Sequence, residues 1–133
     1  MNFSKIWSKI SKSAEDDYFS LSENDRAIYN IKNLLDAVRG NGLLSFYESY
    51  SGDYSQDLLD DLYLVGMDEI AAVVESSNSI FPGGYPPEEL ELRLEIIDSW
   101  EHEYDPLYEQ WTEDILEFSK ELEDAWKNLF SEI

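Results

Sequence analysis

Apolar residues recur along most of the chain at intervals of three or four, the spacing that places them on one face of an α-helix. The first stripe consists of Phe3, Ile6, Trp7, Ile10 and Ala14. The second follows Ser22, a good N-capping residue, and consists of Ala27, Ile28, Ile31, Leu34, Leu35 and Val38. We therefore predict an N-terminal amphipathic helix within residues 1–20 and a second helix that ends at Gly40-Asn41-Gly42.

The rest of the chain divides into shorter helical segments. We predict a short aromatic helix within 43–50, a helix over 55–65 that Gly66 ends, and another over 67–81. A loop at 82–87 leads to a region that is helical to the end, with one break where Asp105 caps a helix that starts at Pro106. The last helix buries Trp111, Ile115, Phe118, Leu122, Trp126 and Leu129. The pattern predicts an all-α fold, a single compact bundle of about six or seven helices.

The composition fits one folded domain. Of the 133 residues, 43% are hydrophobic and 14% are aromatic, enough to bury one core. Disordered acidic chains, by contrast, are poor in aromatic residues. We divide the single helical domain (1–133) into an N-terminal amphipathic helix (1–20), a core region (22–82) and acidic C-terminal helices (88–133).

The net charge of −21 is unevenly distributed. Residues 1–39 hold six basic and six acidic side chains, whereas residues 40–133 hold 24 acidic side chains and only three basic ones, Arg93, Lys120 and Lys127. Such a field repels nucleic acid and anionic membranes and attracts basic proteins. We therefore expect a basic protein partner, with no direct binding of nucleic acid and no membrane binding. The alternative is that the acidity only keeps the domain soluble.

The carboxylates are also spaced as rows along the predicted helices. Residues four apart lie on the same helix face, about 6 Å apart along the axis. Duplex DNA presents rows of negative charge too, so rows of fixed carboxylates fit a cationic groove evolved for phosphates. An ordinary solvated helix face is the alternative interpretation. The predicted partner-binding surface consists of Asp57, Asp60, Asp61, Glu91, Glu95, Asp98, Glu101, Glu109, Glu113, Glu117, Glu121 and Asp124.

The sequence contains few of the cysteine and histidine side chains that enzymes use as nucleophiles or general bases. The chain has no cysteine, and we expect its one histidine, His102 between two glutamates, to be an exposed helix residue rather than a general base. Neither an EF-hand loop nor the Glu-x-x-His pairs of a di-iron bundle are present. We interpret the cluster of Asp57, Asp60 and Asp61 as a solvated face rather than a weak Ca²⁺ or Mg²⁺ site. We therefore predict a protein that is not an enzyme and needs no cofactor.

The expected location is the cytoplasm. No apolar run approaches the roughly 20 residues of a transmembrane helix, and the N-terminal lysines are spread among apolar residues, unlike a secretory signal.

The turn after the second helix carries a motif. The run Val38-Arg39-Gly40-Asn41-Gly42-Leu43-Leu44-Ser45-Phe46-Tyr47 resembles the signature of a bacterial family of unknown function whose best-known member is a dimeric mimic of double-stranded DNA. The family has Asn-Gly-Gly at Gly40-Asn41-Gly42 and a Phe at Leu43, while Phe46 and Tyr47 match its aromatic pair. The resemblance extends from residue 22 to about 82 through Gly52, Leu58-Leu59, Val65-Gly66-Met67, Ala71-Ala72 and Ile80-Phe81-Pro82.

The resemblance implies a helical fold, an acidic surface, a homodimer and the blocking of a DNA-binding protein. Three functions stay open: DNA mimicry against a basic regulator or nuclease, an immunity protein that neutralises a cationic, nuclease-like toxin, and a metal-dependent enzyme built on carboxylates. We interpret the motif as structural, because glycine permits a tight reversal between helices. Its members are Gly40, Asn41, Gly42, Phe46, Tyr47 and Gly66.

Overall fold

The chain folds into eight α-helices, shown by a computed structural model that describes residues 2–131. They are α1 (Phe3–Asp17), α2 (Glu23–Arg39), α3 (Leu43–Tyr47), α4 (Ser55–Leu64), α5 (Asp68–Asn78), α6 (Leu90–Ser99), α7 (Asp105–Glu117) and α8 (Ser119–Phe130). Short 3₁₀ turns lie at Tyr18–Ser20, Tyr50–Tyr54 and Pro82–Gly84, and the described residues contain no strand. The all-α prediction is confirmed, whereas the predicted count of six or seven helices is wrong.

The additional helix arises because the predicted last helix divides at Phe118. This residue has φ −105° and ψ 13°, and its N–H bonds to the carbonyl of Ile115 instead of continuing the helical ladder. The apolar face continues across the break, since Ile115 and Leu122 are both fully buried. Helical spacing therefore predicted the buried face correctly and gave no sign of the break.

Helix α2 lies at the centre of the molecule and contacts α1, α3, α4, α7 and α8. Its predicted start is confirmed, because the Ser22 hydroxyl accepts a hydrogen bond from the Asp25 N–H (3.1 Å). The side chain of Trp126 on α8 donates to the carbonyl of Ile28 across the interface (3.1 Å). Full burial of each large aliphatic side chain contributes about 1.5–3 kcal/mol, so this face supplies much of the core. The predicted face is confirmed, with these residues buried: Ala27, Ile28, Ile31, Leu34, Leu35 and Val38.

The glycine motif reverses the chain between α2 and α3. Gly42 has φ +100° and ψ 172°, a region open essentially to glycine alone. Its N–H bonds to the carbonyl of Ala37 (2.8 Å), and the next N–H, of Leu43, donates to the hydroxyl of Thr112 on α7 (2.8 Å). The reversal therefore fixes α3 against α7.

A buried arginine holds α6 in place. Arg93 is fully buried and donates to the carbonyls of Tyr47 (2.9 Å), Ser49, Pro87 and Glu88 (2.8 Å each) and to the carboxylate of Asp53 (2.7 Å). It is the only buried residue of α6. Because this polar junction anchors the helix in place of a broad apolar stripe, leucines on α6 stay exposed, Leu92 by 46% and Leu94 by 40%.

Candidate acidic interface

Carboxylates from α6, α7 and the turns that follow α3 and α6 line two adjoining cavities at the junction of α3, α6 and α7. A cavity of about 650 Å³ between α6 and α7 is lined by Glu48, Glu95, Asp98, Glu101 and Asp105. A second cavity of about 490 Å³ shares Leu44, Glu48 and Asp105 with the first and continues along α7. We call the joined depression the acidic cleft. Its seven carboxylates are Glu48, Glu95, Asp98, Glu101, Asp105, Glu109 and Glu113.

The acidic cleft keeps its charge on the surface. Six of its seven carboxylate side chains are exposed, and Asp105 is half-buried. No lysine or arginine side chain lines either cavity within the described part of the chain. Partial burial and the neighbouring Asp105 carboxylate raise the pKa of Glu48 above its ordinary value. The cleft therefore holds like charges together without a lysine or arginine among the described residues that line it.

The turn between α6 and α7 forms the lip of this cleft. Glu101 and His102 both have positive φ, 48° and 69°, which L-residues with a side chain adopt at a cost of about 1–2 kcal/mol each. The imidazole of His102 is 90% exposed and its Nδ1 lies 2.9 Å from Asp105 Oδ2. The expected exposure of His102 is confirmed, although the residue lies in a turn and not in a helix. The predicted capping role of Asp105 is wrong, because Asp105 is the first residue of α7 and its side chain contacts His102 instead.

The lysines and arginines that form ion pairs do so away from the cleft. Arg93 is buried against Asp53, and Lys120 approaches Asp124 at 3.8 Å. From the N-terminal third, the ion pairs recorded for the described residues are Arg26 with Asp61, Lys32 with Asp36, and Arg39 with Glu123. The negative field of the cleft thus persists in the folded protein.

The other predicted residues of the C-terminal helices are exposed but lie outside the lining of the cleft. Glu91 is on α6 and Glu117 ends α7, while Glu121 and Asp124 are on α8. The spacing of four residues predicts one row of Glu109, Glu113, Glu117 and Glu121, but the break at Phe118 places Glu121 on a different helix from the other three.

The predicted cluster on α4 does not form an acidic surface. Asp61 is fully buried: its Oδ1 accepts from Arg26 (2.8 and 3.1 Å) and its Oδ2 from Asn30 (2.9 Å). Burial raises the pKa of Asp61, and the hydrogen bonds from Arg26 and Asn30 oppose that shift. Asp57 is half-buried and accepts from the hydroxyl of Tyr18 (2.7 Å). Only Asp60 is exposed, so the assignment of Asp61 to a partner-binding surface is wrong.

Sequence reasoning missed two carboxylates of the cleft, Glu48 and Asp105. Glu48 follows the short helix α3 and belongs to no periodic row. Asp105 was interpreted as a helix cap and so was not assigned to the surface. Their membership depends on α3 lying beside α7, a contact between residues far apart in sequence.

Across residues 2–131, no three His, Asp or Glu side chains form a group that would hold a metal ion. None of the helices in the same range combines the length and the apolar character needed to cross a membrane.

The fold and the cleft together define a class: a small all-α acidic domain that presents preformed carboxylates on its surface. The model of the DMP19-like protein family matches residues 19–131, and the chain belongs to this family. It is a family of DNA-mimic proteins, not known for enzymatic activity. The resemblance seen in residues 22–82 is thus confirmed, and the match extends through α6, α7 and α8. A comparison with curated proteins and another with solved structures found no match.

Proposed function

We propose that this protein binds a basic, DNA-binding protein through the acidic cleft and occludes the surface that would otherwise bind DNA. The observation that carries the proposal is the cleft itself, where seven carboxylates meet and no lysine or arginine side chain of the described chain lines the walls. Membership of a DNA-mimic family supports the same conclusion.

The mechanism depends on fixed charge. Glu109 and Glu113 are one turn apart on α7, so their side chains leave the helix about 6 Å apart along the axis. The junction at Arg93 and the hydrogen bond from Leu43 to Thr112 hold α6 and α3 beside this row. Because the carboxylates are positioned before a partner arrives, binding costs little reorganisation.

The expected kinetic signature is electrostatic steering. A cleft lined by one sign of charge raises association rates with oppositely charged partners by about 10- to 1,000-fold, and salt suppresses the effect. Raising the salt concentration from about 0.1 M to about 1 M shortens the screening length from about 10 Å to about 3 Å. The complex should therefore form quickly at low salt and weaken strongly as salt is added.

The test combines capture with competition. Immobilised protein is exposed to cytosol from its own organism at low salt, and captured proteins are identified by mass spectrometry. Each captured protein is then purified, and its binding to labelled duplex DNA is measured by fluorescence anisotropy while the acidic protein is added. We expect a basic DNA-binding protein that releases its DNA at stoichiometric concentrations.

Two charge-matched variants locate the contact. The cleft variant carries Glu95→Gln, Asp98→Asn, Glu109→Gln and Glu113→Gln, whereas the control variant removes four exposed carboxylates from α4 and α5 through Asp60→Asn, Asp68→Asn, Glu69→Gln and Glu75→Gln. We expect the cleft variant to lose competition and the control to retain it. Equal loss in both variants would reduce the role of the cleft to net charge alone, and failure of every captured protein to release DNA would overturn the proposal.

A further inference from the structure

We infer that the acidic cleft recognises a basic amphipathic segment of its protein partner, in which an apolar side chain enters the cleft between flanking lysines or arginines. This inference rests on the proposed function and adds the chemistry of the partner. The observation behind it is that the cleft has an apolar floor below its acidic rim.

The floor consists of four side chains from α3, α6 and the turn that follows α6. Leu94 is 40% exposed, while Leu44, Ile97 and Trp100 are half-buried, and all four line the 650 Å³ cavity. A cavity of this size lies within the range of about 300–1,000 Å³ that is usual for ligand sites. The apolar surface therefore belongs to a concave site rather than to a scattered set of exposed leucines.

The floor is also rigid. The Trp100 ring packs edge-on against Phe81 and Tyr104, with ring centroids 5.0 and 5.1 Å apart, and is stacked on Tyr108 at 6.0 Å. Leu94 is next to Arg93, whose buried guanidinium fixes this turn of α6. Side chains held in this way lose little freedom on binding, which favours their use as a contact surface.

Charge selects the occupant of this floor. The rim carries Glu48, Glu95, Asp98, Glu101 and Asp105, which repel phosphate groups of nucleic acid and of anionic lipids. A basic segment satisfies the rim, and only one with an apolar face also covers the floor. The floor therefore offers selectivity among basic proteins that charge alone does not give.

The experiment uses two synthetic peptides of equal length and charge. One is an amphipathic helix of lysine and leucine, and in the other glutamine replaces every leucine. Binding of each labelled peptide to the intact protein is measured by fluorescence anisotropy. The test variant is Leu94→Ser, and the matched control is Leu92→Ser, a similarly exposed leucine of the same helix that does not line the cavity.

We expect the leucine peptide to bind the wild-type protein at least about tenfold more tightly than the glutamine peptide, because it covers apolar surface. Leu94→Ser should remove most of that difference and leave the glutamine peptide unaffected, while Leu92→Ser should change neither affinity. Equal binding of the two peptides, or equal effects of the two substitutions, would overturn the inference and leave occlusion by charge intact.

Sedimentation of the protein alone tests the remaining alternative, that a second copy of this chain covers the floor. A dimer that Leu94→Ser dissociates, and Leu92→Ser does not, would assign the floor to a second copy and overturn the inference. Conversely, if no captured protein releases its DNA when the acidic protein is added, the proposed function is overturned, whatever the two peptides show.

Discussion

Two groups of carboxylates that look alike in the sequence have opposite roles in the fold. On α4, Asp57 and Asp61 point into a polar network with Tyr18, Asn30 and Arg26, and each carboxylate accepts hydrogen bonds from defined donors. In the acidic cleft, exposed carboxylates border the same depression without a lysine or arginine among the described residues that line it. The first group contributes to stability, and the second is set up for an external partner.

The difference shows that a high density of acidic residues along a helix does not by itself define a partner-binding surface. A carboxylate becomes part of the fold when a donor on another element reaches it, as Arg26 on α2 reaches Asp61 on α4. It stays available for binding when the neighbouring elements bring only further acids. The comparison yields four predictions, in order of decreasing effect.

Removal of the buried carboxylate should have the largest effect. Asp61→Ala leaves Arg26 without its ion-pair partner and the amide of the buried Asn30 with only one of its two acceptors, the hydroxyl of Tyr18. Breaking a buried ion pair from one side costs about 3–5 kcal/mol; because Arg26 is 27% exposed, we expect a loss in the free energy of unfolding near the lower end of that range. Urea unfolding followed by tryptophan fluorescence measures this loss.

The adjacent exposed residue supplies the control, since Asp60→Ala should change stability by less than about 0.5 kcal/mol. Similar effects of the two substitutions would remove the distinction between the groups.

The next effect concerns the tyrosine that joins this network. Tyr18 donates its hydroxyl proton to Asp57 (2.7 Å) and accepts from Asn30 (2.9 Å). Tyr18→Phe keeps the stacking of this ring on Tyr54 and removes both hydrogen bonds, which should cost about 1–2 kcal/mol in the same unfolding assay. Tyr50→Phe, at a ring that is 73% exposed, should cost far less. A loss equal to that of the control would mean that stacking, and not hydrogen bonding, makes Tyr18 important.

Neutralising the cleft should act in the opposite direction. The variant with Glu95→Gln, Asp98→Asn, Glu109→Gln and Glu113→Gln removes repulsion between exposed like charges, each contact being worth a few tenths of a kcal/mol. We expect the free energy of unfolding to rise by up to about 1 kcal/mol at low salt, and the gain to shrink as salt screens the wild-type charges. A destabilised variant would mean that these carboxylates support the fold, as Asp61 does.

Much of the fold could be predicted from the sequence, because local rules determine it. The apolar spacing of α1 and α2 and the cap at Ser22 depend on residues within a few positions of one another, and the structure confirms them. The break at Phe118 could not be predicted, since neither glycine nor proline marks it and the buried face continues through it.

The candidate site was only partly predictable, because local rules do not determine which helices meet. Helical spacing placed Glu95, Asp98, Glu109 and Glu113 on the surfaces of their helices, but the meeting of α6 with α7 beside α3 is a long-range event. The burial of Arg93 was equally unpredictable, because Arg93 is buried whereas its apolar neighbours Leu92 and Leu94 are exposed. A charged side chain flanked by leucines has no local signal that tells burial from exposure.

The smallest predicted effect is a pH dependence that originates at Glu48. Partial burial and the Asp105 carboxylate raise the pKa of Glu48 in the folded protein, so between the ordinary and the raised pKa the folded chain holds a proton that the unfolded chain has already released. Stability should therefore fall as pH rises from the ordinary glutamate value, about 4.3, through the raised value. Glu48→Gln removes this fall, and at neutral pH the variant should be more stable than the wild type by a few tenths of a kcal/mol, since solvent screens so exposed a group. Urea unfolding from pH 4 upward, with Glu91→Gln outside the cleft as control, measures it. An advantage that persists unchanged below about pH 4 would show that it arises from packing and not from the charge of the cleft.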